Sequence, residues 1–349
     1  MKSILKSAAA AAALMLFATP SFAAEELNAL VWCDHADPAL LEPFEKANDV
    51  KVNTKEYEGT GAGLSIVEQS QPGDWDVFVV DGIDVPRVVA MGLLAPMDEA
   101  SLPIGDLYPE LVMRDQTTKD GKFYAVSEKF GYNTISFNKD KVDVADMQSL
   151  EALFGDKYKG KIAVYDYYLP VMGMVALSLG KKTSELTEAD LPAIKEKLFK
   201  LKENSKLVGE IVSSQTALAT GEVDVLVGGG EFVTATLHKD NAALDFSIPE
   251  EGGVRWSQAI GVFAASKKQE LALKFVQYIM SPEGQARLAT SSCYWGVPTN
   301  TKAKLDAEQK AVLRFDEQAE FLKRAQLYPA PDADLDAKMQ AVWTEFLNH

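Results

Sequence analysis

The chain has 349 residues, with 35 Lys and Arg against 51 Asp and Glu, a formal net charge of −16 at pH 7. Such acidity argues against nucleic acid and anionic lipid as partners, which demand clustered positive charge, and it suits a cationic ligand that the summed field draws inward. The length is comfortable for two domains.

Residues 1–23 read as a signal peptide. Lys2 and Lys6 precede an apolar run from Ala8 to Phe17, and small residues at Ser21 and Ala23 fit cleavage after Ala23. The run is shorter than the roughly 20 apolar residues of a membrane span, and no later segment is apolar enough to be one. The mature chain is therefore expected in the periplasm. Losing two lysines and no acid takes its net charge to −18. Two cysteines remain, Cys33 and Cys293, and an even count in an exported chain favours pairing.

Leu27–Trp32 reads as a short strand, Pro38–Asn48 as a helix with Leu40, Leu41 and Phe44 at helical spacing, and Val50–Tyr57 as a second strand. Gly59–Gly63 opens another helix. Asp76–Val80 is a continuous apolar strand of the kind covered on both faces. The pattern resumes with a strand at Lys161–Tyr165 and a helix after Pro170. A helix follows over Glu188–Lys202, N-capped by Thr187. Ser213-Ser214-Gln215 reads as a further N-cap, and a strand over Glu222–Val227 ends in Gly228-Gly229-Gly230. Ala259–Ala264 is another strand, Lys267–Met280 an amphipathic helix, and Leu335–Leu347 a last helix. Strands alternating with helices predict a mostly parallel α/β sheet.

Gly59-Thr60-Gly61-Ala62-Gly63 lacks the full dinucleotide-binding spacing, because position 64 is Leu, and it follows the second strand instead of the first. The chain has three histidines, His35, His238 and His349, and no zinc-protease, nucleophile-elbow or Cys-x-x-Cys motif. An exported enzyme is one alternative, and no cofactor is expected. Aromatic residues gather at predicted strand ends. Trp32 is followed by Asp34 and His35, Tyr167 and Tyr168 follow Asp166, Trp256 follows a Glu-Glu-Gly-Gly turn, and Tyr294 and Trp295 adjoin Cys293. Asp81 and Glu231 occupy similar positions. Ligands of open α/β sheets bind at the carboxyl ends of strands. Aromatic faces attract an ammonium and carboxylates hydrogen-bond it, so the chemistry is that of a small organic amine. Adjacent Tyr167 and Tyr168 raise a ferric-ion binder as another alternative.

The order of several segments resembles the periplasmic polyamine-binding proteins of ABC importers, the spermidine/putrescine-binding family, over nearly the whole mature chain. The segments are Val31-Trp32-Cys33-Asp34, Trp75–Asp81, Gly131–Val142, Tyr158–Ile162, Ser213-Ser214, Thr220–Asp224, Pro249–Trp256 and Ala272–Glu283. The resemblance implies a type II-like, two-lobed periplasmic binding protein fold with the ligand between the lobes. Residues 24–130 and 257–303 would form lobe 1, and 131–256 and 304–349 lobe 2. Hinges are expected near Phe130–Thr134, Val254–Gln258 and Asn300–Leu313. It also implies a monomer that delivers a small amine-containing ligand to an inner-membrane ABC permease.

Carried over by position, Trp32, Asp34, His35, Asp81, Tyr167, Ser214, Glu231, Trp256 and Trp295 would line the site, with Trp32 and Trp256 facing each other. The resemblance places Cys33 and Cys293 near one lobe wall, which implies a disulfide between them. The departures are as informative. The family's acidic pair after the Tyr165-Asp166 strand is Leu169 and Pro170 here, an aromatic at the glycine-rich turn is Gly228 or Gly229, and its Asp two residues after Trp256 is Gln258. Lys129 adds a positive charge. A short diamine, a quaternary amine or an omega-amino acid is therefore open beside a polyamine, with Lys129 or Arg255 to meet a ligand carboxylate.

Overall fold

A computed structural model describes residues 25–349; the predicted signal peptide lies outside them. Strand β1 (Glu25–Val31) pairs in parallel with β2 (Val50–Glu56) and β3 (Val77–Asp81), with helices Pro38–Asn48 and Gly59–Glu68 as crossovers. Side chains alternate between the two faces of a strand. Leu27, Ala29 and Val31 with Val77 and Val79 pack beneath Phe275 and Ile279. Leu30, Phe78 and Val80 pack on the other face with Leu64, Val85 and Val88.

After a short hairpin, β4 (Thr118–Lys119) and β5 (Lys122–Phe123), comes β6 (Val126–Asn138), in which every residue is buried. The second half of the chain contributes β7 (Ile162–Tyr165), β8 (Ser205–Gly209), β9 (Val225–Gly229) and β10 (Leu244–Ser247). It ends with β11 (Val254–Val262), β12 (Val297–Pro298) and β13 (Gln326–Leu327). Alternation recurs here: Ile162, Val164, Val225 and Val227 face one core, Ala163 and Leu226 the other. The C-terminal helix Ala333–Asn348 adds Met339, Val342, Trp343 and Phe346 to the first of these.

The strand order β2-β1-β3-β11-β6-β9-β7-β8 makes one continuous path. Contrary to the mostly parallel sheet expected, its middle is antiparallel, because β6 and β11 run against their neighbours. β11 pairs with β3 and β6, while β6 pairs with β11 over Val126–Asn133 and with β9 from Thr134 onward. β6 is thus the strand that pairs with both parts of the sheet, first with β11 and then with β9. Register shifts occur at Gln258/Ala259 and at Thr134/Ile135, and bulges of this kind bend a strand and re-aim its side chains.

Local expectations hold for most elements, with three corrections. The predicted strand at 259–264 overlaps only the later part of β11, which begins earlier, at Val254, and ends at Val262. The helix expected after Pro170 begins at Tyr168, and Pro170 occupies the first turn, where no N–H bond is lost. Ser213–Gln215 do not cap the next helix. It runs Ile211–Ala219, and Glu210 caps it by accepting from the Val212 and Ser213 N–H groups. Thr187 does form a capping box, with Asp190.

Cys33, in the turn after β1, is bonded to Cys293, in the loop beyond helix Pro282–Ala289, with their Cα atoms 6.0 Å apart. The same loop is held by the Ser292 N–H donating to Asp37 Oδ2 at 2.7 Å. The bond closes a loop spanning 260 residues, for which constraint of the unfolded chain predicts stabilisation of about 2–5 kcal/mol. Urea unfolding with and without reductant is expected to differ by that amount. Two free thiols in unreduced, exported protein would contradict the pairing.

Candidate ligand-binding site

The end of β1 runs through Trp32 into a tight turn, Cys33–Ala36, in which Asp34 and His35 are fully buried. Beside it, the register jump in β6 leaves Glu128 unpaired between Ser127 and Lys129. Without that extra residue, Glu128 and Lys129 would point to opposite faces. With it, both reach the Asp34-His35 turn. Lys129 Nζ lies 2.9 Å from Asp34 Oδ2, His35 Nδ1 2.9 Å from Asp34 Oδ1, and His35 Nε2 2.8 Å from Glu128 Oε1. The last pair is in ion contact without hydrogen-bond alignment, and Glu128 Oε2 has no partner. Lys129 also donates to the Tyr294 carbonyl at 3.0 Å and sits 3.9 Å above the centre of the Tyr294 ring. Gln258 Nε2 donates to Asp34 Oδ1 at 3.3 Å and to the Tyr294 hydroxyl at 2.6 Å.

Charge in this group is nearly balanced. Burial opposes ionisation of Asp34, but Lys129 and His35 outweigh it and hold the carboxyl far below its ordinary range. Burial likewise opposes the imidazolium of His35, yet Glu128 and Asp34 raise its pKa to about 10. Burial lowers Lys129 and raises Glu128, and in each case the opposite charge beside it resists the shift.

Glu231 begins helix Glu231–Leu237 after the triple glycine and is fully buried. Its Oε2 accepts from the Tyr132 N–H at 3.1 Å, while Oε1 has no partner and no cationic side chain of the described residues forms an ion pair with it. A Cβ on Gly131 would lie 1.6 Å from Glu231 Oε1 and 2.5 Å from Trp256 Cζ2, so only glycine lets this carboxyl approach the indole. A Cβ on Gly296 would meet Lys129 Cε at 2.6 Å and Trp256 Cη2 at 3.0 Å. Lys129 and Glu231 therefore both lie close to the Trp256 indole. The ring of Trp256 meets those of Phe232 and Tyr294 edge-on, each at 6.2 Å. Burial, opposed by its backbone hydrogen bonds and by the Lys129 ammonium, pushes the Glu231 carboxyl up to about 8.

Asp81 ends β3 opposite Gln258 of β11. Its Oδ1 accepts from the Ile83 N–H at 3.3 Å, which is the turn-capping role, yet burial, aided by Asp84, still pushes its carboxyl up to about 7.

Several predicted site residues have other partners, while Tyr167 packs in the same core cluster as Trp256, Phe232 and Tyr294. The aromatic partners of Trp256 are Phe232 and Tyr294, and Trp32 packs instead against the cores around Leu27 and Leu30, its indole N–H unpartnered. Trp295 packs against the core cluster that contains Phe130, Tyr132 and Phe321, and Tyr294 is the member of that aromatic pair whose ring meets Trp256. The Ser214 hydroxyl donates to the Gly209 carbonyl. Tyr167 meets the rings of Tyr165 and Tyr328, while the Tyr168 hydroxyl donates to Asp336 at 2.5 Å. Arg255 projects from the face of β11 opposite Trp256 and donates to the Glu110 carbonyl at 3.1 Å. Glu128, Phe232 and Tyr294 were not singled out as site residues. For Glu128 there was a signal, the charged Glu-Lys pair inside the otherwise uncharged run 123–138.

A family model for bacterial extracellular solute-binding proteins matches residues 39–314. The chain belongs to that family. Among relatives of this solute-binding protein is the spermidine/putrescine-binding periplasmic protein of Escherichia coli K12, 25% identical over 268 residues, 75% of each chain. The putrescine-binding periplasmic protein PotF of the same organism is 24% identical over 96% of this chain and 95% of that one. A crystal structure of the spermidine/putrescine transporter substrate-binding protein PotD from Streptococcus pneumoniae shares the fold, with a TM-score of 0.80 and 20% identity over 92% of this chain and 98% of that one.

The two raised carboxyls fix the sign of a pH effect. The pKa of each is higher in the folded protein than the ordinary 4.5 of Glu231 or 3.8 of Asp81. Their contribution to stability is therefore complete below those ordinary values and is lost as pH rises through about 7 and about 8. Urea midpoints of the ligand-free solute-binding protein are expected to fall from about pH 5 to about pH 8, with a flatter slope in Glu231→Gln. A rising midpoint would show that both carboxyls are charged and paired.

Proposed function

We propose that the protein is the periplasmic solute-binding component of an ABC importer and captures a small primary amine, whose ammonium is held between Glu231 and the Trp256-Phe232 aromatic pair. The observation that carries this reading is the buried, unpartnered Glu231 Oε1 beside the Trp256 indole. A buried carboxyl without a cation is costly, and an ammonium offers both a charge and N–H donors. Aromatic faces add about 0.5–2 kcal/mol each where the cation is desolvated. Asp81 is a second acceptor across the β3–β11 pair.

The other readings lose support from the same contacts. An omega-amino acid needs a cation for its carboxylate, but Lys129 is neutralised by Asp34 and Arg255 faces away from Trp256. A quaternary amine has no N–H for Glu231 Oε1. A ferric site built on Tyr167 and Tyr168 is disfavoured because the Tyr168 hydroxyl is engaged with Asp336. An exported enzyme has no support beyond what family membership in a binding class already accounts for.

The lobes divide where β6 and β11 cross, with residues 24–130 and 257–303 on one side and 131–256 and 304–349 on the other. Bending at the two register shifts lets both lobes close on the ligand, and the closed face meets an inner-membrane permease. A single copy suffices for this task.

A thermal-shift screen of primary amines is expected to yield a stabilising ligand, because a ligand that binds only the native state raises the melting temperature. By calorimetry, Glu231→Gln should cost on the order of 2–5 kcal/mol of binding, and Trp256→Ala roughly 10- to 30-fold in affinity. Affinity should rise with pH up to about 8, because the ammonium binds the ionised Glu231. An amine affinity that falls over that range, or survives Glu231→Gln unchanged, would sink the assignment.

A further inference from the structure

Lys129 is fully buried, and its environment is unusual for a structural cation. The ammonium has a carboxylate at 2.9 Å, a carbonyl at 3.0 Å and an aromatic face at 3.9 Å. That combination is what a protein offers a primary-ammonium ligand. The side chain carrying it is itself a butylammonium, four methylenes ending in an amine. Its stem runs past Gly296 and beside Trp256, on the wall that also carries Glu231. A buried ion pair contributes little stability relative to apolar replacements, so its place on the site wall calls for another explanation.

We propose that Lys129 is a tethered ammonium filling an amine subsite made by Asp34 and Tyr294, and that it sets ligand length by leaving the Glu231 subsite for a single ammonium of the ligand. This rests on the amine-binding function proposed above. An amine long enough to place a second ammonium against Asp34 meets Lys129 instead. Asp34, which would otherwise have attracted that charge, is already neutralised. The protein therefore selects short amines by occupying the further position with its own chain. Tyr294 and Cys293 are consecutive, so the disulfide to Cys33, the residue before Asp34, holds the two walls of this subsite together.

Lys129→Ala deletes an aminopropyl unit, and propylammonium chloride replaces it. To keep the Glu231 subsite out of the measurement, Glu231→Gln is compared with Glu231→Gln/Lys129→Ala. Propylammonium is expected to raise the melting temperature of the double variant and not of the single one, while potassium chloride at equal ionic strength shifts neither. In the Lys129→Ala protein, the affinity for 1,4-diaminobutane and spermidine relative to butylammonium should increase roughly tenfold or more over wild type. If a Lys129→Ala variant does not fold alone, recovery of soluble protein on refolding with propylammonium is the readout, and failure to recover it overturns the subsite. A folded variant with no propylammonium response and an unchanged amine series would also overturn it, leaving Lys129 as a structural ion pair. Rescue by propylammonium in a protein whose wild type binds no amine would support the subsite and count against the proposed function instead.

Discussion

A buried aspartate in the turn after the first strand and a buried lysine on β6 form the contact on which the proposed site depends. Asp34 and Lys129 are far apart in sequence, fully buried, and 2.9 Å apart at their charged atoms. Neither charge is tolerable alone in such a place, since breaking a buried pair leaves an uncompensated ion. Their union fixes the turn after β1 against β6. It also recruits a second ring of contacts, because His35 bridges Asp34 to Glu128 and Gln258 bridges Asp34 to Tyr294. The disulfide from Cys33 then restrains the loop that supplies the Tyr294 carbonyl and ring. What remains unmatched after this internal neutralisation is Glu231 and, less deeply, Asp81, and the ligand chemistry is read from that remainder.

The two long strands β6 and β11 furnish much of the proposed site. β6 contributes Glu128, Lys129 and Gly131, and β11 contributes Trp256 and Gln258. In the proposed reading, ligand contact and lobe closure thus use the same backbone. The bulge opposite Gln258/Ala259 turns two consecutive charged side chains toward one turn, and Gly131 and Gly296 let side chains approach where a methyl group would collide. Geometry of this kind favours preorganisation: the acceptors for an ammonium are held by their own partners before any ligand arrives, so little ordering cost falls on binding.

Much of the architecture could be read along the chain. The unbroken apolar run at Val77–Val80, the spacing of Leu40, Leu41 and Phe44, and the capping box at Thr187 are local signals, and each corresponds to an element of the structure. β6 was harder to recognise. Charged Glu128 and Lys129 interrupt its apolar pattern, because they are satisfied by partners from other parts of the chain and not by solvent. Glu210 escaped notice as a helix cap because Ser213 and Ser214 carry the commoner capping chemistry.

By itself, the sequence determined composition, the alternation of strands and helices, the order of family-like segments and the presence of carboxyl and aromatic groups near strand ends. Those are properties of neighbours along the chain. Only the tertiary structure decided which of these groups meet: that Trp256 has Phe232 and Tyr294 as its aromatic partners, that Trp295 and Ser214 are engaged elsewhere, and that Lys129 is neutralised before a ligand carboxylate could use it. The physical reason is that burial and pairing set the charge and availability of a polar side chain, and for the Asp34–Lys129 pair the partner comes from another element, 95 positions away.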